Sequence, residues 1–166
     1  MRLDEKDLQI LELLQKNCRS TARKIAEKVG SPITTVYAKI KRMERMGLIK
    51  GYKAVIDAEK LGIGTTAFIL VSFTPGKWEK TATQRDVARK IASFPEVQEV
   101  HIITGDWDIL LKVKVRDVNE LGRLVVDRLR MVEGVEKSLT CVVLATVKET
   151  TDLPLKLAAS SYAYIR

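Results

Sequence analysis

The sequence predicts an α+β protein in two parts, three helices followed by a four-stranded sheet carrying two more. Three observations support that expectation. Over residues 4–46 apolar residues recur at steps of three and four, three times in succession, which is the spacing of amphipathic helices. From residue 65 onward, β-branched and aromatic runs alternate with helical spacing in the order strand, helix, strand, strand, helix, strand. A hydrophobic content of 46% over 166 residues is enough for one ordinary core or two small ones.

Charge narrows the partners. A formal net charge of +8 and a pI near 9.5 favour an acidic one, nucleic acid before an anionic membrane surface. No apolar run approaches the roughly 20 residues of a membrane span. The opening MRLDEKDLQ also lacks the apolar core of a secretion signal, so a cytoplasmic protein is expected. Cys18 and Cys141 fall in separate parts and in no Cys-x-x-Cys or Cys/His cluster, which predicts free buried thiols, no metal and no cofactor.

Asp4 is placed to cap a first helix, in which Leu8, Leu11 and Leu14, flanked by Ile10 and Leu13, make a wide apolar face. After Asn17, Cys18 and Arg19 the chain turns. Ser20 or Thr21 caps a second helix with Ala22, Ile25, Ala26 and Val29 inward, and Gly30 ends it. The third helix, SPITTVYAKIKRMERM at 31–46, opens with Ser31 as a hydroxyl cap and Pro32 at the first helical position. Its apolar stripe is Ile33, Val36, Tyr37, Ile40 and Met43, and its opposite face carries Thr34, Thr35, Ala38, Lys39, Lys41, Arg42 and Arg45.

Three short helices with a tight Gly-Ser turn between the second and third make a helix-turn-helix whose third member is the recognition element. Met46-Gly47-Leu48-Ile49 stops that helix, and KGYKAVI at 50–56 reads as a short β segment with a basic, aromatic tip, the wing of a winged helix-turn-helix. Short side chains near the helix start permit close approach to base edges in the major groove, while Lys and Arg reach phosphates. From 31 to 53, Lys39, Lys41, Arg42, Arg45, Lys50 and Lys53 stand against the single anion Glu44. The same face would suit a solvated basic helix packed on a core; the turn, the wing and this local charge excess decide for DNA. Ser31 and Tyr37 belong to the candidate surface too, although capping and packing compete for them.

Residues 57–64, DAEKLGIG, read as a linker. Beyond it, 65–74 is a nearly continuous apolar strand, 81–93 a helix with Val87, Ala88, Ile91 and Ala92 inward, and 97–104 a strand. Gly105-Asp106 is a two-residue hairpin turn into a strand over 107–115. Asp117 or Asn119 caps a long helix bearing Leu121, Leu124, Val125, Leu129 and Val132, and a last strand covers 135–147. That order is the ferredoxin-like βαββαβ arrangement, with both helices on one face of the sheet. Residues 68–71 and 142–145 look apolar on both faces, and a second copy of the chain is the simplest cover. The domains are therefore expected at 1–56, winged helix-turn-helix, and 65–149, ferredoxin-like, with a linker at 57–64. The tail 150–166, rich in Leu and Tyr, either hangs loose or packs on a neighbouring subunit.

The stretches LDEKDLQILELLQKN at 3–17, KIAEKVGSPITTVYAKIKRMERMGLIKGY at 24–52 and TGDWDILLKV at 104–113, set in this order of elements, resemble the Lrp/AsnC (leucine-responsive, feast/famine) family of transcriptional regulators. The resemblance covers about 3–148. It implies a DNA-binding domain followed by an effector domain that dimerises through its sheet and assembles to tetramers or octamers. It also implies that small effectors, typically amino acids, bind between effector domains near Thr104, Gly105, Asp106, Trp107 and Asp108. A Gly turn exposes backbone N–H groups suited to an α-carboxylate, Asp106 or Asp108 can pair with an α-ammonium, and Trp107 either walls the pocket or fills the core.

Two departures from the family stand out: Lys24, where an acidic residue often completes a capping box, and the C-terminal extension. The lone His101 sits within a strand with no catalytic arrangement around it, so no enzyme is expected. An architectural DNA-wrapping protein is the alternative. A tetrapyrrole-binding enzyme of the siroheme decarboxylase type comes behind it, since the basic surface over 39–53 has no use there.

Overall fold

The computed structural model describes residues 3–75 and 82–157. The chain divides into two compact units, one made of residues up to 55 together with those from 148 on, the other of 56–147.

The first unit is built on α1 (Glu5–Lys16), α2 (Ala22–Val29) and α3 (Ile33–Arg45). Asp4 starts α1 through a reciprocal capping box with Asp7, and Thr21 caps α2 by accepting from the Lys24 N–H. With Lys at that position, the second half of a box is missing from α2. Gly30 ends α2 in the left-handed conformation, φ 61°. The end of α3 is a Schellman turn: Gly47 sits at φ 68°, the Leu48 N–H reaches the Met43 carbonyl at 3.0 Å, and the Gly47 N–H reaches Glu44 at 2.9 Å. Ile10, Leu14, Ile25, Ala26, Val29, Val36 and Met43 form the buried core.

Several expectations here are corrected. Ser31 does not cap α3; Pro32 stands at the N-cap with no side-chain bond, and the Ser31 hydroxyl instead accepts from Lys6 Nζ at 2.7 Å. The apolar stripe of α3 is narrower than the spacing suggests. Val36 and Met43 are buried and Ile40 half-buried, while Ile33 and Tyr37 are about half exposed, because α1 and α2 pack along one seam of α3. The wing is an extended, exposed single segment over 51–57 rather than a strand, and it pairs with no strand among the described residues. It is tied back through Tyr52, whose hydroxyl donates to Glu44 at 2.9 Å, and through Lys53, whose carbonyl accepts from Cys18 Sγ at 3.6 Å.

The second unit holds β1 (Thr65–Phe73), α4 (Gln84–Ala92), β2 (Val97–Ile102), β3 (Ile109–Val115), α5 (Val118–Arg123) and β4 (Val135–Val142). The strands lie in the order β2-β3-β1-β4 with every pair antiparallel, which is the ferredoxin-like sheet. Alternation puts Ala67, Ile69 and Val71 of β1 and Ile109, Leu111 and Val113 of β3 against Val87 and Ile91 of α4 and Leu121, Leu124 and Leu129 after them. Thr83 and Asp86 start α4 with a second capping box, while Thr81, the expected start, lies outside the described residues.

Three further differences from the sequence reading concern lengths. The fifth helix is not continuous: α5 passes into a π-helical turn over Leu124–Arg128 and a 3-10 turn over Leu129–Met131, which still leaves Leu124, Val125 and Leu129 buried. The hairpin between β2 and β3 is not a two-residue turn. Residues 103–108 join the strands, closed by the Ile103 N–H on the Asp108 carbonyl at 2.9 Å. Strand β4 ends at Val142 rather than at 147, because its partner β1 begins at Thr65 and offers Val143 only one further bond, at 2.9 Å to the Thr66 carbonyl.

The linker holds a 3-10 turn over Glu59–Leu61. Of the cysteines expected to be buried, Cys18 is partly exposed and Cys141 exposed, both free. The first part of the C-terminal extension lies on its own chain's α1: the Leu153 N–H donates to Gln15 Oε1 at 2.8 Å and Gln15 Nε2 returns a bond to the Leu153 carbonyl at 3.2 Å. Tyr162, Tyr164 and Ile165 lie outside the described residues.

Candidate nucleic-acid interface

Helix α3 presents Thr34, Thr35 and Ala38 to solvent within its first two turns, with exposed Tyr37 beside them and Lys41 Nζ 5.8 Å from the tyrosine ring centre. Short polar side chains at the start of an exposed helix leave its backbone able to enter a groove. The six cations read from the sequence then separate by what already holds them. Arg45, Lys50 and Lys53 are exposed and make no ion pair among the described residues. Lys41 pairs with Glu44 at 2.8 Å, three residues on and at the surface. Such a pair is worth little in water and exchanges readily for a phosphate.

Lys39 and Arg42 are different. Both reach Asp7 of α1, a carboxylate with no exposed surface: Lys39 Nζ lies 3.0 Å from Oδ1 and Arg42 Nη2 2.5 Å from Oδ2, while Lys39 also bonds Asp4. Breaking a buried pair leaves an uncompensated charge, at a cost far above that of losing a surface pair. Burial alone would push the Lys39 ammonium down, but its bonds to Asp4 and Asp7 outweigh that and leave it raised. The bond from Lys39 in turn holds the Asp4 carboxyl below its ordinary range. Lys39 and Arg42 therefore do not stand with the freely exposed cations, because Asp7, on α1 and outside residues 31–53, already holds both.

Further exposed cations stand on the preceding elements, outside the 31–53 stretch. Lys24 and Lys28 of α2 and Arg19 before it are exposed and have no ion-pair partner among the described residues, whereas Arg23 pairs with Glu27 at 3.4 Å. In a helix-turn-helix the helix before the recognition helix crosses the DNA backbone, so these positions were legible from the motif. The inward position of Asp7 was legible too, though not its partners: it stands three and seven residues before Ile10 and Leu14, on the helix face that packs inward. At the wing, burial and then the bond to Glu44 push the Tyr52 phenol up to about 12, so it remains a neutral donor that fixes the segment.

The candidate effector residues occupy the β2–β3 connection. Thr104, Gly105 (φ 116°) and Asp106 are exposed, and Trp107 is half-buried with Lys137 Nζ 5.5 Å from its ring. Asp108 is already engaged. Its Oδ2 accepts from the Phe73 N–H at 2.8 Å, its Oδ1 and carbonyl accept from Gln84 Nε2 at 3.3 and 3.2 Å, and its own N–H donates to Val71. It bolts the hairpin to the end of β1 and the start of α4, which leaves Asp106 as the free carboxylate of the pair. His101 is exposed on the edge strand β2, 3.2 Å from Glu99. No group of His, Cys, Asp and Glu among the described residues could hold a metal. No helix among them is long and apolar enough to cross a membrane.

A helix-turn-helix with an open cationic face, on the same chain as a ferredoxin-like sheet, defines a two-domain DNA-binding regulator. The comparisons agree: residues 3–50 match the winged helix-turn-helix DNA-binding family model and residues 66–153 the Lrp/AsnC ligand binding domain. The chain belongs to the Lrp/AsnC family of transcriptional regulators. It is 43% identical over 147 residues to an uncharacterized HTH-type transcriptional regulator of Pyrococcus horikoshii, covering 89% of this chain and 96% of that one. To the HTH-type transcriptional regulator FL11 of Pyrococcus furiosus it is 38% identical over 154 residues, 93% of this chain and 97% of the relative. Among solved structures, a transcriptional regulator of Neisseria meningitidis in complex with L-Met superposes with a TM-score of 0.88 at 31% identity, over 95% of this chain and 99% of the other.

Proposed function

We propose that this regulator reads DNA through α3, with Thr34, Thr35 and Ala38 at base edges and Ser31 and Tyr37 flanking them. Arg45, Lys50, Lys53 and Lys41 hold phosphates, with Arg42 contributing only from its outer edge and Lys39 withdrawn. The observation that supports this reading best is the coincidence of small exposed side chains on α3 with Arg45 of the same helix and Lys50 and Lys53 after it, exposed cations that make no ion pair among the described residues. Removing one phosphate-binding cation should weaken all sequences alike and reduce the salt slope by about one, whereas a change at Thr35 should alter base preference. Fluorescence anisotropy of Thr35→Ala on operator and scrambled duplexes distinguishes the two; an unchanged ratio of the two affinities removes Thr35 from base reading.

The outer face of the sheet supports a homo-oligomer. Phe68, Leu70, Leu110 and Leu139 are all at least partly exposed there, and an antiparallel sheet with helices on one side only leaves such a face for a second copy. A dimer would set two recognition helices in successive major grooves. For the effector we propose an amino acid bound near Gly105 and Asp106 between effector domains, supported by the matching ligand binding domain and by the L-Met carried by the Neisseria regulator. Asp106→Ala should abolish calorimetric binding of whichever amino acid raises the melting temperature in a thermal-shift screen. Specific and non-specific affinities that are equal at one salt concentration would favour the architectural reading instead.

A further inference from the structure

We propose that Asp7 is a specificity-setting positioning residue: it keeps Lys39 off the phosphates and fixes how Arg42 and the recognition helix are presented to the duplex. The inference rests on the proposal that α3 reads DNA.

Asp7 has no exposed surface, and its two oxygens accept from the Asp4 N–H at 2.9 Å, from Lys39 Nζ at 3.0 Å and from Arg42 Nη2 at 2.5 Å. One residue earlier, Lys6 Nζ donates to the Ser31 hydroxyl at 2.7 Å and to the Gly30 carbonyl at 3.1 Å. Helix α1 thus grips the recognition helix just before its start and again in its second and third turns. The two cations held by Asp7 keep different amounts of freedom. The Lys39 side chain is only 15% exposed, so its ammonium is consumed within the domain; the Arg42 side chain is 41% exposed, anchored through Nη2, with Nε buried and unpartnered.

Every cation released at a DNA-facing surface adds a contact that any duplex satisfies, since phosphates carry no sequence information. A carboxylate that withholds one such cation while fixing the helix lowers the sequence-independent share of binding and protects the share that depends on geometry. Asp4 cannot take over this task. Its side chain is 58% exposed, so its pair with Lys39 would be exchangeable for a phosphate once Asp7 lost its charge.

The test measures salt dependence and discrimination for the full-length chain on a duplex selected by the wild type from a random-sequence pool and on a scrambled duplex of the same length and composition. In Asp7→Asn the salt slope should steepen by about one as Lys39 is freed. The ratio of specific to non-specific affinity should fall on the order of tenfold, the scale of one misread base pair. Lys39→Gln should leave the slope unchanged while discrimination falls. A lower melting temperature for Asp7→Asn with slope and ratio unaltered would make Asp7 merely structural and overturn the proposal, as would a Lys39→Gln slope reduced by about one. If Asp7→Asn does not fold, Lys39→Gln decides alone. Failure of the underlying DNA reading looks different: the wild type itself would show no salt-dependent binding.

Discussion

The two units of this chain divide charge and core between them. Residues up to 55 and from 148 on contain 16 of the 29 Lys and Arg but 8 of the 21 Asp and Glu, and so carry the whole formal +8. Residues 56–147 contain 13 of each and are neutral. Among the described residues the core runs the other way, with seven buried hydrophobic residues in the charged unit and fifteen in the neutral one. A small core next to a large charge excess means that the DNA-facing unit holds itself together under self-repulsion, and the Asp7 cluster brings anions to where α3 is most cationic. The sheet unit is free of that constraint.

The largest effect should come from the small core. Ile10→Ala, at a position with no exposed surface, should cost about 2–5 kcal/mol. That is a large share of the stability expected of a domain this small. Calorimetry should show the transition of the helical unit lost or lowered while that of the sheet unit stays in place; a single transition moving as one would break the comparison. Next, Gly134→Ala should destabilise only the sheet unit. Gly134 lies at φ 92°, and an added Cβ would meet Val87 Cγ2 at 2.9 Å and the Phe73 ring at 3.0 Å, so a cost of about 1–3 kcal/mol is expected. DNA affinity measured below the melting range should not move.

A smaller effect, about 1 kcal/mol, is expected for Gln15→Ala, which removes both bonds to Leu153. Faster hydrogen exchange at the Leu153 amide would confirm that the extension is tied to α1; unchanged exchange would show that it is not. The smallest is a pH effect. Because the bond from Lys39 lowers the Asp4 carboxyl below 3.8, the stability it contributes is fully present above that pH and is lost as pH falls through the lower folded value. In Asp4→Asn this part of the acid destabilisation of the helical unit should vanish, with the acid limb of the sheet unit unaltered.

Most of the architecture was legible in the sequence because its signals are local. Asp4, Thr21, Gly30, Gly47 and Asp117 mark helix ends by their own chemistry, and strand alternation names the buried face of β1 and β3 without reference to anything distant. What escaped depended on partners remote in sequence. Strand β4 stops where β1 runs out, the wing has no partner strand among the described residues, and Asp108 is taken up by Phe73 and Gln84. The same holds for the candidate interface. Counting cations along 31–53 gives six, but only a carboxylate 32 and 35 residues upstream reveals that Lys39 and Arg42 are already held.

The division of labour between the units is tested most directly by the salt dependence of duplex affinity in two double variants. Arg45→Ala with Lys50→Ala should reduce the slope by about two, whereas Arg85→Ala with Arg130→Ala, two exposed cations of the sheet unit, should leave it unchanged. Equal slopes in the first variant and the wild type, or an equal loss in both variants, would contradict the assignment of DNA contact to the helical unit.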